Sequence, residues 1–119
     1  MADAASEVLA SMRRLARAGE STVSAAVGRA SAPRSWQHYP DGDVEDREAG
    51  CTWYYHSHER TAAGSGEHGH FHVFARTADG ACTHLAGLAV DARGSPVRLF
   101  ATNRWVTDEA WVPAATAIR

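Results

Sequence analysis

Histidines recur at every second position in two nearby stretches of this chain. Tyr54–Glu59 reads YYHSHE and Glu67–Phe74 reads EHGHFHVF, and together they hold five of the seven histidines. Residues two apart share a face on a β-strand and diverge on a helix. The pattern therefore restricts both stretches to strands. The spacer between them, Arg60–Gly66 (RTAAGSG), carries glycine and is short enough for a hairpin. A symmetric loop sets Glu59 opposite Glu67. His58 then faces His68, His56 faces His70, and Tyr54 faces His72. Cross-strand partners point to the same side with Cβ atoms about 4.5–5.5 Å apart, so the five imidazoles and Tyr54 share one face. Trp53, Tyr55, Phe71 and Val73 form the other, a suitable core surface. A slip of one residue would mix the two sets, so the pattern supports the register.

Crowded imidazoles repel when protonated and waste donors when buried without partners. A transition-metal ion resolves both problems, because neutral imidazole is its commonest ligand. The expected ligands are His56, His58, His68 and His70. Zinc, iron, copper and nickel all accept imidazole, and manganese enters if carboxylates join, so the ligand type leaves the metal open. The outer histidines of HGHFH lie about 13 Å apart along a strand, so His68, His70 and His72 cannot all hold one ion. His72 and Tyr54 are accordingly the candidate proton donors or acceptors of a catalytic site. A symmetric TADGA turn pairs Phe74 with His84 and His72 with Ala86, and the next hairpin pairs His84 with Asn103. His72, His84 and Asn103 are thus expected to form a second polar cluster. Glu59 and Glu67 fall on the opposite face in this register, while Asp43, Glu45 and Asp46 come from an acidic segment that can fold over the sheet.

The rest of the chain sets the frame. Its 119 residues suit one domain, with a helical segment at 1–32, an acidic loop at 33–50, a sheet at 51–105 and a short helix or tail at 106–119. Ala2–Ala18 places Val8, Leu9, Met12, Leu15 and Ala16 at helical spacing, and Glu20–Ala30 continues the helical pattern until Pro33. Ser35–Gly50 is polar, acidic and turn-rich. Cys51–Glu59, Glu67–Arg76, His84–Asp91 and Pro96–Arg104 read as four strands of an antiparallel meander. A last helix is expected to open at Thr107 ahead of Asp108 and Glu109. The fold class is therefore α+β, with N-terminal helices on one face of a four-stranded sheet and the histidines on the other.

Composition excludes several functions. The formal net charge of −2 and the scattered arginines give no nucleic-acid footprint. No stretch reaches the length of a membrane span, and the acidic N-terminus lacks a signal-peptide core, so a cytoplasmic protein is expected. Cys51 and Cys82 stand far apart without a CxxC pair, which rules out thiolate zinc sites and leaves two buried apolar thiols as the simplest account. GSGEHG fits a dinucleotide fingerprint only literally, because a strand follows where a helix must open. DGDVED lacks the glycine of a calcium loop.

The stretches WYYHSHER and GEHGHFHVFAR, followed by HLAGLAVDARGSPVRLFATNRWVT, resemble a bacterial domain family of unknown function over the C-terminal two-thirds of the chain. The HxH pairs are similar to those of cupins and of strand-borne zinc enzymes such as carbonic anhydrases. The cupin glycine spacing and strand number are missing, so that likeness concerns the site and not the fold. Three functions remain open: a small metalloenzyme acting on a small-molecule substrate, a non-catalytic metal-binding or sensing protein, and a metal-free module whose histidine face binds a ligand. The oligomeric state is not set by the sequence.

Overall fold

The computed structural model describes residues 3–28, 32–58 and 66–117. Two helices, α1 (Ala4–Arg17) and α2 (Thr22–Val27), precede five strands: β1 (Tyr39–Asp46), β2 (Cys51–His56), β3 (Gly69–Arg76), β4 (Cys82–Val90) and β5 (Pro96–Phe100). Single-turn helices α3 (Arg104–Thr107) and α4 (Ala114–Ala117) follow. The strands form one antiparallel sheet in the order β1-β2-β3-β4-β5. No helix among the described residues is long and apolar enough to cross a membrane.

The α+β class holds, but the sheet has a fifth strand where a loop was expected. The acidic segment supplies β1, whose ladder with β2 consists of Tyr39↔Tyr55, Val44↔Trp53, Glu45↔Thr52 and Asp46↔Cys51, with an irregularity between Tyr39 and Val44. Pro40, Asp41, Gly42 and Asp43 fill that irregularity. Pro, Asp and Gly are poor strand formers, and Gly42 and Asp43 take positive φ. The strand is therefore stabilised by its neighbour and not by its own propensity.

The β2–β3 register is the expected one: Tyr54↔His72, Tyr55↔Phe71 and His56↔His70. Phe74↔His84 also pairs as expected, but a bulge between Val73 and Phe74 moves His72 opposite Gly87 instead of Ala86. Bulges insert one unpaired residue and bend the strand; here the extra residue is Leu85. The β4–β5 ladder includes Gly87↔Phe100 and Leu88↔Leu99. That alignment would bring His84 to Asn103, but β5 ends at Phe100. Asn103 instead caps α3, accepting a hydrogen bond from Trp105 N at 3.0 Å. Thr107 closes α3 and does not open a helix, since Asp108 is its left-handed C-cap.

The core lies on the side away from the histidines. Val23 and Ala26 of α2 meet Tyr39, Tyr55 and Val90, with Val27, Trp53, Phe71 and Leu88 packed alongside. A capping box joins Ser21 and Ser24 at the start of α2. Thr22 Oγ1 donates to Gly94 O at 3.2 Å, tying α2 to the β4–β5 turn. Helix α1 spans close to the expected range but buries no residue; only α2 is seated on the sheet. Cys51 and Cys82 are free thiols on β2 and β4, two strand spacings apart, about 10 Å. That separation is too long for a disulfide.

Candidate metal centre

The histidine face is built from the middle of the sheet outward. His56 ends β2, and His70 and His72 lie on β3. One nitrogen from each of these three rings falls within 4.8 Å of the other two, with His70 and His72 buried. His70 is the hub. Its Nε2 stands 2.7 Å from His56 Nε2 and 3.3 Å from His58 Nε2. Its Nδ1 is 2.8 Å from Glu67 Oε1. Arg98 Nη2 donates to the other oxygen, Glu67 Oε2, at 3.1 Å.

Glu67 was expected on the opposite face. It precedes Gly69, the first residue of β3, so strand alternation does not bind it. Burial works to raise its carboxyl pKa, but hydrogen bonds and charge from His70 and Arg98 outweigh that, and the net shift is downward. An ionised Glu67 only accepts, so the hydrogen-bond network assigns the proton of His70 to Nδ1 and the lone pair to Nε2.

His72 is oriented in the same manner by His84, whose Nε2 is 2.9 Å from His72 Nδ1. His84 N donates in turn to Glu109 Oε2, and Thr83 Oγ1 reaches the same oxygen at 3.4 Å. Glu109 thus takes the place that Asn103 was expected to hold. Phe100 closes the floor beside these rings, with its centroid 5.2 Å from that of His70 and 5.8 Å from that of His72. The bulge makes this contact. It sets Gly87 opposite His72, the β4–β5 ladder sets Gly87 opposite Phe100, and a Cβ at Gly87 would overlap the phenyl ring.

His68, expected among the ligands, lies apart from His56, His70 and His72. Its Nδ1 is 2.6 Å from Tyr55 Oη, on the core side of the sheet. His68 precedes Gly69, the first residue of the β3–β4 ladder, with its N–H held by Val90 O at 2.8 Å, and its ring meets the hydroxyl of fully buried Tyr55, which requires a partner. His58 lies past the end of β2, after Ser57 bridges to Ser35, and reaches His70 without joining the mutual group. Its Nδ1 is buried and has no hydrogen-bond partner. Glu59 lies outside the described residues.

The rim is aromatic. His38 stacks on Tyr54 at 3.6 Å between centroids and 8° between planes, and Asp43 Oδ1 is 3.0 Å from its Nδ1. His38 directly precedes β1, and the β1 ladder that carries it over Tyr54 leaves no signal in composition. Trp36, with φ of 69°, stands edge-on to His58 at 4.3 Å. Of Asp43, Glu45 and Asp46, it is Asp43 that approaches this face. Glu45 pairs with Arg76, and Asp46 accepts from Glu48 N and Ala49 N in the β1–β2 turn.

His56 and His72 are held in the neutral form. Burial, then the charges of His70, His58 and His38, lower His56 to about 4. Burial, then His70, His56, His84 and His38, lower His72 to about 3. His58 and His84 shift down as well, chiefly through burial. Tyr54 shifts up through burial and then Asp43, so its phenol keeps its proton at neutral pH.

A pH dependence of stability follows. A histidine with a lowered folded pKa binds fewer protons folded than unfolded. Its stabilisation is present above the unfolded value of about 6.5 and is lost as pH falls toward the folded value. For chelator-treated protein, the urea midpoint is expected to hold above about pH 7 and to fall steadily between about pH 6.5 and pH 4. A His72→Gln variant should show a flatter profile; an unchanged slope would argue against the buried imidazoles as its source.

The family model for a domain of unknown function, DUF6969, matches residues 2–119. The chain belongs to this family. The match extends beyond the C-terminal two-thirds that carried the resemblance and takes in the N-terminal helices. No curated protein and no solved structure shows a significant match to it.

Proposed function

We propose that this DUF6969 protein is a single-domain, cytoplasmic transition-metal-binding protein. His56, His70 and His72 are its ligands, and an open position beside them gives it the form of a small metalloenzyme. The observation that carries the reading is the convergence on His70. Its Nε2 offers one lone pair, yet two other ring nitrogens stand at 2.7 and 3.3 Å from it. Protons satisfy one such contact well and leave the second poorly made, whereas a cation satisfies all the lone pairs at once. Metal–nitrogen bonds of about 2.0–2.1 Å in a tetrahedral site set nitrogens about 3.3–3.4 Å apart. The His58–His70 distance already has that value, and His56 needs only a small outward rotation.

The groups behind the ligands support the same reading. Metal-bound histidines commonly give their second ring N–H to a carboxylate or another acceptor, which fixes ring and tautomer. Glu67 does so for His70 and His84 for His72. A metal held by three imidazoles supplies Lewis acidity beside a free coordination position. Tyr54, between His56 and His72 with centroids 5.5 and 5.2 Å away, is placed to donate a proton there. Zinc, copper, nickel and iron suit an imidazole set better than manganese does.

A specific observation favours the second reading, a closed, non-catalytic site. His58 is near enough to His70 to be a fourth ligand. The two readings divide on His58→Ala, which opens a closed site and weakens binding but leaves a three-ligand site loaded. Metal binding itself is tested by elemental analysis of purified protein and of the His56→Ala/His70→Ala variant. Stoichiometric metal in the first and a trace in the second is expected. Equal content in both, or none in either, refutes the proposal.

A further inference from the structure

The side of the sheet away from the histidines is only half covered. Helix α2 is six residues long, and its buried residues meet Tyr39, Tyr55 and Val90. Trp53, Val73 and Leu88 on the same side are only partly buried, and Leu99, opposite Leu88, is 72% exposed. Only Tyr55 and Val90 among large side chains are fully buried among the described residues. Meanwhile α1 is strongly amphipathic and makes only slight contact with α2. Val8 is 58% and Leu9 53% exposed, and Leu15 is its only large apolar residue with partial cover. An amphipathic helix of this kind normally owes most of its stability to a surface that buries its apolar stripe.

We infer that a second copy of this chain supplies that surface. Helix α1 of each protomer lies across the uncovered sheet face of the other in a two-fold dimer. The two bare surfaces are complementary in kind, one a helical stripe and the other a sheet face. A two-fold axis makes each chain donor and acceptor at once, as an isologous interface requires. The dimensions agree. Fourteen helical residues extend about 21 Å, and five strands at about 4.8 Å span roughly 19 Å between the outer axes.

Charge sets the direction of the helix. Arg13 and Arg17, one turn apart near the C-terminus of α1, have no ion-pair partner among the described residues. The β1–β2 hairpin at one sheet edge exposes Glu45, Asp46 and Glu48, with Arg47 and Arg76 the cations paired there among the described residues, both to Glu45. Running α1 from β5 toward β1 of the partner sets Val8, Leu9 and Met12 over Leu99, Leu88 and Trp53. It also brings Arg13 and Arg17 to Asp46 and Glu48. Such complementarity selects one orientation more than it adds affinity.

Sedimentation equilibrium or light scattering on the intact chain tests this. A mass near twice 12.8 kDa is expected. Leu9→Glu and Leu99→Glu, both at exposed positions that leave the single chain folded, should each weaken the dimer by about 30-fold or more. Arg13→Glu/Arg17→Glu should weaken it too, and adding Asp46→Arg/Glu48→Arg should restore it. A monomer at high micromolar concentration overturns the inference. So does a dimer that tolerates Leu99→Glu, or a charge reversal without rescue. The histidines face the other way, so metal content reads independently. Failure of the metal proposal leaves this result standing, and the reverse also holds.

Discussion

His70→Ala is expected to abolish metal binding, with an affinity loss well beyond that of any other single histidine substitution in the cluster. The reason is its place in the network. His56 and His58 both approach His70, and His72 adjoins it along β3. Removing its ring takes away a proposed ligand and also leaves the Glu67–Arg98 pair facing an empty space. Glu67→Gln keeps the shape but loses the charge that holds the His70 proton on Nδ1. Loss of such an outer partner costs about 10–100-fold in affinity, so Glu67→Gln should fall between wild type and His70→Ala. His68→Ala, which alters only a contact to Tyr55 on the far side of the sheet, should leave metal affinity unchanged. Competition with a chromophoric chelator measures all three. If His68→Ala weakens binding as much as His70→Ala, the assignment of these rings to opposite sides fails.

The alternation of histidines was enough to give the β2–β3 register, residue for residue. Period two leaves no freedom once one face must be apolar and the other polar. The same rule failed where pairing stops. His58, His68 and Glu67 all lie outside the ladder, and nothing in their spacing says so. Glu67 consequently turned toward the histidines and His68 away from them. The β4–β5 alignment was also legible, yet Asn103 fell beyond its last rung. The bulge at Leu85 was not legible, because an inserted residue depends on how β4 must bend and not on its own type. Strand β1 was hidden by PDGD, four residues that taken alone specify a turn. Its place in the sheet comes from Val44–Asp46 pairing with a strand that is already fixed. The histidine face was therefore readable as a set of residues, while its outer partners Glu67 and Glu109 depended on long-range geometry.

Gly69→Ala is expected to be the most destabilising single-methyl change in the sheet. Gly69 sits within HGHFH, where a larger residue would preserve strand propensity and the histidine alternation. The obstacle is packing. A Cβ there would overlap Tyr55 Oη and lie 2.6 Å from Tyr55 Cζ and 2.6 Å from the backbone oxygen of His56. Tyr55 has no exposed surface and its hydroxyl is tied to His68, so its ring cannot move aside cheaply. The alternative is a backbone shift at His56, which carries one of the proposed ligand rings. Overpacking a filled interior costs about 1–3 kcal/mol, and the clash with main chain puts this case at or above the top of that range. A loss of roughly 3 kcal/mol lowers the melting temperature by about 10 °C in a domain of this size. Any remaining folded protein should bind metal weakly, since His56 and His70 flank the displaced backbone. Thermal melts and chelator competition on the variant measure both effects. A melting temperature within a few degrees of wild type would show that the Tyr55 ring has room the packing does not reveal, and that glycine here serves the chain in some other way.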